Sequence, residues 1–324
     1  MKHVNNFERE NFAVLPTPMY KLKNISKKYG CNVYIKRDDM TGVSLGGNKV
    51  RKLEFLLADA KAKGADYVIT TGGAQSNHAM LTAACANRIG MKAILVLQQR
   101  GVCERKGNLI LNDILGADVR FVDSDDFKDV YDEIHRIAEE LKGQGHLAYE
   151  IPLGGSVPLG SIGYVHCMKE VAKQAQELDV EFKEIICTTG SGGTHAGVTL
   201  GAHLYMPHAK VTGMMVSPSP FEKIVPKLIR GTGELLEVEE ADIEEAVGKV
   251  NLVPVWGDGY AIPSKEGNAA MEMLATNEAI IVDPVYTGKA FGGLISMLES
   301  GQFSKDDNIL FLHTGGAGGV FALY

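Results

Sequence analysis

Apolar residues Leu53, Leu56, Leu57 and Ala60 recur at i, i+3, i+4 and i+7, which is one face of an amphipathic helix. That pattern predicts a helix over residues 50–63. Short apolar runs at 32–36, 67–70, 93–97 and 119–122 read as strands, and between them the helical period returns at 79–89, 106–115 and 126–142. Residues 147–152 close this run, and Gly154-Gly155-Ser156 reads as a junction. Beyond it the alternation resumes. Helices are predicted at 163–178, after Gly193, and at 221–230, 243–250, 265–275 and 288–298; strands are predicted at 184–188, 210–216, 280–283 and 309–313. Strands alternating with helices of this length form parallel sheets through right-handed crossovers. Two such α/β units side by side leave a cleft in which ligands bind.

Composition supports this picture and removes several classes. A chain of 324 residues exceeds the length at which single cores stop growing, so two domains are expected. Hydrophobic content of 45% and charged content of 23% are those of a globular protein. A formal charge of -7 gives no footprint for nucleic acid, and no apolar run is long enough for a membrane span. Residues 1–10 carry charges and no apolar core, so no signal peptide is expected. The five cysteines, at 31, 85, 103, 167 and 187, are odd in number and lack a CxxC pair, which points to reduced thiols in a cytoplasmic protein.

Candidate chemistry sits where strands run into glycine-rich turns. Lys49 follows Gly46-Gly47-Asn48 at the mouth of the helix predicted over 50–63. The positive end of the helix dipole disfavours a cation there, and shielding from water would push the lysine towards the neutral amine that a nucleophile needs. The alternative is an exposed lysine beside Arg51 and Lys52, which read as surface residues. A second turn, Thr188-Thr189-Gly190-Ser191-Gly192-Gly193-Thr194, precedes a helix and offers main-chain amides and hydroxyls to a phosphate. Its spacing departs from GxGxxG, no acidic residue ends the next strand, and no lysine follows as in a Walker A loop. A third, at residues 72–78, puts Ser76, Asn77 and His78 at a helix start. They can hold an anion such as a carboxylate or serve as an ordinary N-cap. The last turn follows His313 and contains Thr314. His195, His203 and His208 lack a carboxylate pattern that would suggest a metal, so none is expected.

Taken together, the segments 35–39, 46–54, 75–78, 154–156, 190–197, 283–289 and 313–316 resemble the pyridoxal-phosphate enzymes of the tryptophan-synthase-β group, fold type II. Within that group the resemblance is to the D-cysteine desulfhydrase and 1-aminocyclopropane-1-carboxylate deaminase family, and it runs from about Leu15 to the C-terminus. It implies a two-domain, three-layer α/β/α fold of open twisted sheets, with residues 1–50 plus 157–324 as the large domain and 51–156 as the small one. It implies pyridoxal 5'-phosphate held on Lys49 through an imine, Asn77 at the phenolic oxygen, residues 188–194 at the phosphate, and Thr287 and Thr314 near the pyridine nitrogen. Ser76, Asn77 and His78 would border the substrate carboxylate, Tyr260 and Tyr286 would flank the substrate, and Gly46 and Gly47 would let the backbone pass close to the ring.

Deaminase-type sequences resemble Val-Tyr-Glu-Gly where this chain has Val285-Tyr286-Thr287-Gly288. A neutral hydroxyl supports the pyridinium less than a carboxylate does, which suits elimination of a good leaving group. The expected activity is α,β-elimination from a small amino acid bearing sulfur at Cβ, first D-cysteine, giving pyruvate, ammonia and sulfide. L-Cysteate sulfo-lyase, L-cysteine desulfhydrase and the cyclopropane deaminase are the alternatives. A homodimer is expected from the resemblance, and a non-enzymatic amino-acid or nucleotide-binding domain is the reading from another class.

Overall fold

The computed structural model describes residues 6–324, so half of the charged stretch 1–10 lies outside the described residues. Along the chain the elements are β1 (Met19–Lys21), α1 (Lys23–Tyr29), β2 (Asn32–Arg37), α2 (Lys49–Ala62), β3 (Tyr67–Gly73), α3 (Asn77–Arg88), β4 (Lys92–Gln98), α4 (Asn108–Ile114) and β5 (Asp118–Val122). Next come α5 (Phe127–Gly143), β6 (Ala148–Ile151), α6 (Pro158–Glu177), β7 (Glu184–Thr189), α7 (Gly193–Tyr205), β8 (Lys210–Met215), α8 (Phe221–Leu235) and α9 (Glu240–Gly248). The chain ends with β9 (Asn251–Pro254), α10 (Lys265–Glu278), α11 (Thr287–Glu299), β10 (Asn308–His313) and α12 (Ala317–Leu323).

The strands form two sheets. A four-stranded sheet has the order β5-β4-β3-β6, and its strands run parallel. A six-stranded sheet has the order β1-β2-β10-β7-β8-β9, parallel except for β1 at its edge. The strand nearest the C-terminus is therefore central, with Phe311 opposite Ile35 on one side and Ile186 on the other. Every residue of β7 is buried, as expected for a parallel strand covered by helices on both faces. Helix α2 packs against α3 and α6, so the helix that begins with Lys49 is wedged between the two sheets. Its apolar face, Leu53, Leu56, Leu57 and Ala60, is buried with Ala79, Leu81 and Leu95 in one core.

Three expectations fail. Residues 280–283 form no strand. Their polar groups go to local turns and side chains instead, with Asp283 N donating to Thr287 Oγ1 at 2.9 Å, the Ile281 carbonyl accepting from His313 Nε2 at 2.9 Å and the Asp283 carbonyl accepting from Gly288 N at 2.8 Å. The strand β9 and the helix α12 carry too little period for the sequence to show them.

The third failure is Arg51 and Lys52, which are buried at 1% and 0% exposure and are not surface residues. Arg51 donates to both oxygens of Asp38, at 2.8 Å each, and also reaches Glu170. Lys36 and Tyr164 join the same buried cluster through Glu170 and Asp38. The arginine holds the Asp38 carboxyl down at about 2 despite its burial.

Candidate active site

Both sheets bring the C-terminal ends of their strands to one cavity of about 310 Å³. Such strand ends, where helices begin, are where open α/β sheets bind ligands. Lys49 is the first residue of α2 and lines the cavity. Its Nζ donates to Asn48 Oδ1 at 3.1 Å. Burial draws its pKa from 10.5 to about 8, opposed by the negative charge of Asp283. Asn48 is anchored in turn, since its Nδ2 donates to Thr194 Oγ1 at 2.9 Å and its amide donates to the Thr314 carbonyl at 3.0 Å. Gly46 and Gly47 allow close approach of backbone to backbone. A Cβ on Gly46 would fall 1.8 Å from the Asp39 carbonyl oxygen, and one on Gly47 would fall 3.2 Å from that of Thr314.

The turn after β3 supplies the next wall. Ser76 is the N-cap of α3, its Oγ accepting from Ala79 N at 3.2 Å, and it lines the cavity as well. Asn77 also lines the cavity, and its Oδ1 accepts from Asn108 Nδ2 at 2.7 Å. Its Nδ2 donor is the group left to meet a ligand. For His78 the tautomer follows from its partners. Thr70 Oγ1 gives its one proton to the Ile151 carbonyl at 2.7 Å, so His78 Nε2, 2.9 Å away, must donate to Thr70. Burial and the nearby Lys49 and Lys52 charges hold the imidazole pKa well below its usual value, so the ring is neutral.

Opposite lies the loop between β7 and α7. Thr188, Gly190, Ser191, Gly192 and Thr194 line the cavity. Gly192 holds φ +87, where a Cβ would also meet Ile224 at 2.8 Å. Two residues assigned to this cradle do not line the cavity. Thr189 is buried with its hydroxyl 3.1 Å from His195 Nδ1, and Gly193 faces Ser156, to whose Oγ its amide donates at 3.1 Å. Lys52 completes the cradle from behind. Its Nζ donates to the Gly154 carbonyl at 3.0 Å and to Ser156 Oγ at 3.1 Å, and lies 2.6 Å from where a Cβ on Gly193 would be. Burial pushes its pKa down well below that of a free lysine, and the Lys49 charge pushes the same way. The sequence did hold a signal for it, because positions 49 and 52 are i and i+3 on one helix face.

Tyr260 and Tyr286 line the cavity with ring centroids 6.0 Å apart, and their hydroxyls hydrogen-bond to each other. Both phenol pKa values are raised, chiefly because the cavity walls keep water from the hydroxyls, even though part of the Tyr260 ring is exposed. Thr314 and Gly315 lie on the same cavity wall. Thr287 does not. Its hydroxyl donates to Asp283 Oδ1 at 2.6 Å and accepts from Asp283 N at 2.9 Å, so its one proton is spent inside the turn and off the cavity wall. The sequence also placed no carboxylates with the histidines, yet Asp242 and Glu245 lie 3.3 and 3.8 Å from His203. The Lys249 ammonium already sits 3.0 Å from the same ring and makes this an ion-pair cluster.

One feature tests the residues against a phosphate-bearing aldehyde. The Thr188 hydroxyl is buried on the cavity wall with no hydrogen-bond partner among the described residues, at the start of the loop that leads into α7. Oxygen acceptors of a phosphate would satisfy the hydroxyl and the helix-start amides together.

A family profile described as "Pyridoxal-phosphate dependent enzyme" matches residues 11–315. The D-cysteine desulfhydrase of Salmonella typhimurium is 38% identical over 337 residues, spanning 100% of this chain and 98% of that protein. A Pyrococcus horikoshii protein provisionally named 1-aminocyclopropane-1-carboxylate deaminase is 41% identical over 321 residues, 97% of this chain and 94% of its own. Among solved structures, an ACC deaminase homologue superposes with a TM-score of 0.90 at 40% identity, covering 98% of this chain and 94% of that one. The tomato threonine deaminase isoform 2, at 18% identity and a TM-score of 0.69 over 97% of this chain and 81% of that one, shares the fold. With a matching profile over most of its length and full-length relatives above one-third identity, the chain belongs to the family of pyridoxal-phosphate-dependent enzymes.

Proposed function

We propose that the protein catalyses α,β-elimination of a small β-thiol amino acid, D-cysteine first, converting it with water into pyruvate, ammonia and hydrogen sulfide. The observation that carries this reading is Lys49, with its pKa drawn to about 8, set between an anion-binding helix start and a phosphate-type cradle in one cavity. Bound there, pyridoxal phosphate would supply an aldehyde for the substrate amine and a ring that withdraws electrons from Cα. The protein supplies the rest. The amides of Gly190, Ser191, Gly192 and Thr194 and the Thr188 and Ser191 hydroxyls would hold the phosphate, with the Lys52 ammonium behind them. An anion at that point favours the charged form of Lys52, which the buried site otherwise disfavours.

Ser76, the Asn77 Nδ2 and the first amides of α3 would take the substrate carboxylate. Lys49, as the neutral amine, is the base for the Cα proton. Tyr260 and Tyr286 stay protonated at neutral pH and can donate towards a departing sulfur. Thr314, the one of the two assigned threonines on the cavity wall, is the hydroxyl for the ring nitrogen. No carboxylate and no arginine stands among the described residues lining the cavity. The missing carboxylate favours elimination over opening of a cyclopropane, and the missing guanidinium favours a thiol over a sulfonate.

The D-cysteine desulfhydrase relative supports the choice of configuration. L-Cysteate, L-cysteine and the cyclopropane amino acid are the alternatives. Pyruvate released from each of the four, measured side by side with wild type and Lys49→Ala, decides between them. Pyruvate formation by Lys49→Ala comparable with wild type would refute the assignment.

The same reading includes the division into residues 1–50 plus 157–324 and 51–156, which the membership of the two sheets supports. It also includes a cytoplasmic location, supported by five free cysteines. A homodimer belongs to it as well. The exposed apolar residues Ile281, Phe321 and Tyr324 near the C-terminus support that assembly, and gel filtration tests it.

A further inference from the structure

The segment 283–289 ends in two opposite charges that the chemistry above leaves unused. Asp283 is 1% exposed and gathers four donors: the amides of Val285 and Tyr286 on Oδ2, and the amide and hydroxyl of Thr287 on Oδ1. It shapes the turn that presents Tyr286. Lys289, in the first turn of α11, is also 1% exposed. The start of a helix and a buried position both disfavour an ammonium. Its Nζ has a specific use there, donating to the carbonyls of Trp256 at 2.7 Å and Gly259 at 2.8 Å.

Those two carbonyls lie four residues and one residue before Tyr260. Residues 255–263 belong to no helix or strand, and Gly257, Gly259 and Ala261 hold φ values of +63, +146 and +62. Within 256–260 the backbone closes on itself through Gly259 N to the Trp256 carbonyl at 3.3 Å, so the ammonium is the shorter and stronger tie. Tyr260 is 43% exposed yet lines the cavity, which puts it at the mouth. Its ring reaches across to the other sheet, where a Cβ on Gly73 at the end of β3 would lie 3.8 Å from it. Asp283 thus holds the turn that carries Tyr286, and Lys289 the segment that carries Tyr260.

We propose that Lys289 is a positioning residue that straps residues 256–260 over the cavity mouth and so holds Tyr260 against Tyr286. This deepens the elimination reading and rests on it for the kinetic part of its consequence. The strap itself is independent of which substrate is used.

The test compares cofactor-loaded wild type with Lys289→Met, each with and without Tyr260→Phe. Hydrogen exchange of the amides of 257–261 should quicken about tenfold or more in Lys289→Met, since two charge-assisted hydrogen bonds are lost. Exchange in 188–194 should not change. For pyruvate formation, kcat/KM should fall about tenfold in the wild-type background and by no more than about twofold when Tyr260→Phe is already present, because a residue acting through Tyr260 cannot add to its loss. Unchanged exchange at 257–261 overturns the proposal, and so do equal losses in both backgrounds. If Lys289→Met fails to fold, Lys289→Gln takes its place. It keeps an N–H donor but cannot span both carbonyls, so faster exchange at 257–261 is again required. Should wild type release no pyruvate from any of the four substrates, the functional reading fails while the exchange measurement still decides the strap.

Discussion

Cofactor-free protein should capture pyridoxal phosphate with a pH midpoint near that of Lys49, far below that of an ordinary lysine. Burial moves this amine from 10.5 to about 8. At pH 7 a free lysine is roughly 0.03% neutral, whereas one of pKa about 8 is roughly 10% neutral, a gain of about 300-fold in the reactive form. The perturbation is pH alone, stepped from about 6 to 10. The assay is the initial rate of capture, trapped by borohydride and located by peptide mass, with Lys49→Arg as the blank. The rate should level off above pH 8 to 9. A rate still climbing tenfold per pH unit beyond that would show an unperturbed lysine and refute the burial argument. Linkage gives the same sign for stability. The folded-state pKa is depressed, so between about 8 and 10.5 the unfolded chain binds the extra proton, and cofactor-free protein should become more stable as pH rises through that window.

Other perturbations separate fold from site. Arg51→Met leaves Asp38 a buried anion without its bidentate partner and should cost about 3–5 kcal/mol in urea unfolding. Lys52→Met removes a buried amine whose partners among the described residues are a carbonyl and a hydroxyl. Cofactor-free protein should hold or gain stability while cofactor affinity, read by equilibrium dialysis, falls about tenfold or more. Thr188→Val should weaken cofactor binding about tenfold and leave the urea midpoint of cofactor-free protein in place, because that hydroxyl has no partner among the described residues. In acid, Asp38 is depressed from 3.8 to about 2, so its contribution is complete above 3.8 and is lost as pH falls through about 2. Urea midpoints taken down that range should show a slope that Asp38→Asn lacks.

Strands, helices and glycine turns were legible because each is a local pattern. The helix beginning at Lys49, the N-cap at Ser76 and the loop 188–194 stand where the sequence placed them. Residues 280–283 were apolar enough to read as a strand, but apolarity does not tell where backbone hydrogen bonds go. Here Thr287 and His313 take them. Thr287 was assigned to the cofactor by its place in a motif, and only the turn geometry shows its hydroxyl spent on Asp283.

The sequence by itself determined the alternation of elements and which stretches end in anion-binding turns, since period and turn chemistry act over a few residues. Tertiary structure alone decided the fate of the charges. Arg51, Lys52 and Lys289 carry the polarity of surface residues, and nothing within a few positions of each reveals a partner. Asp38, Gly154 and Trp256 lie 13, 102 and 33 positions away, and only folding brings them close enough to make burial of those cations tolerable. For the same reason Lys49 could be named from its neighbours, but its lowered pKa depends on the burial that the two sheets assemble around it, which outweighs the opposing charge of Asp283.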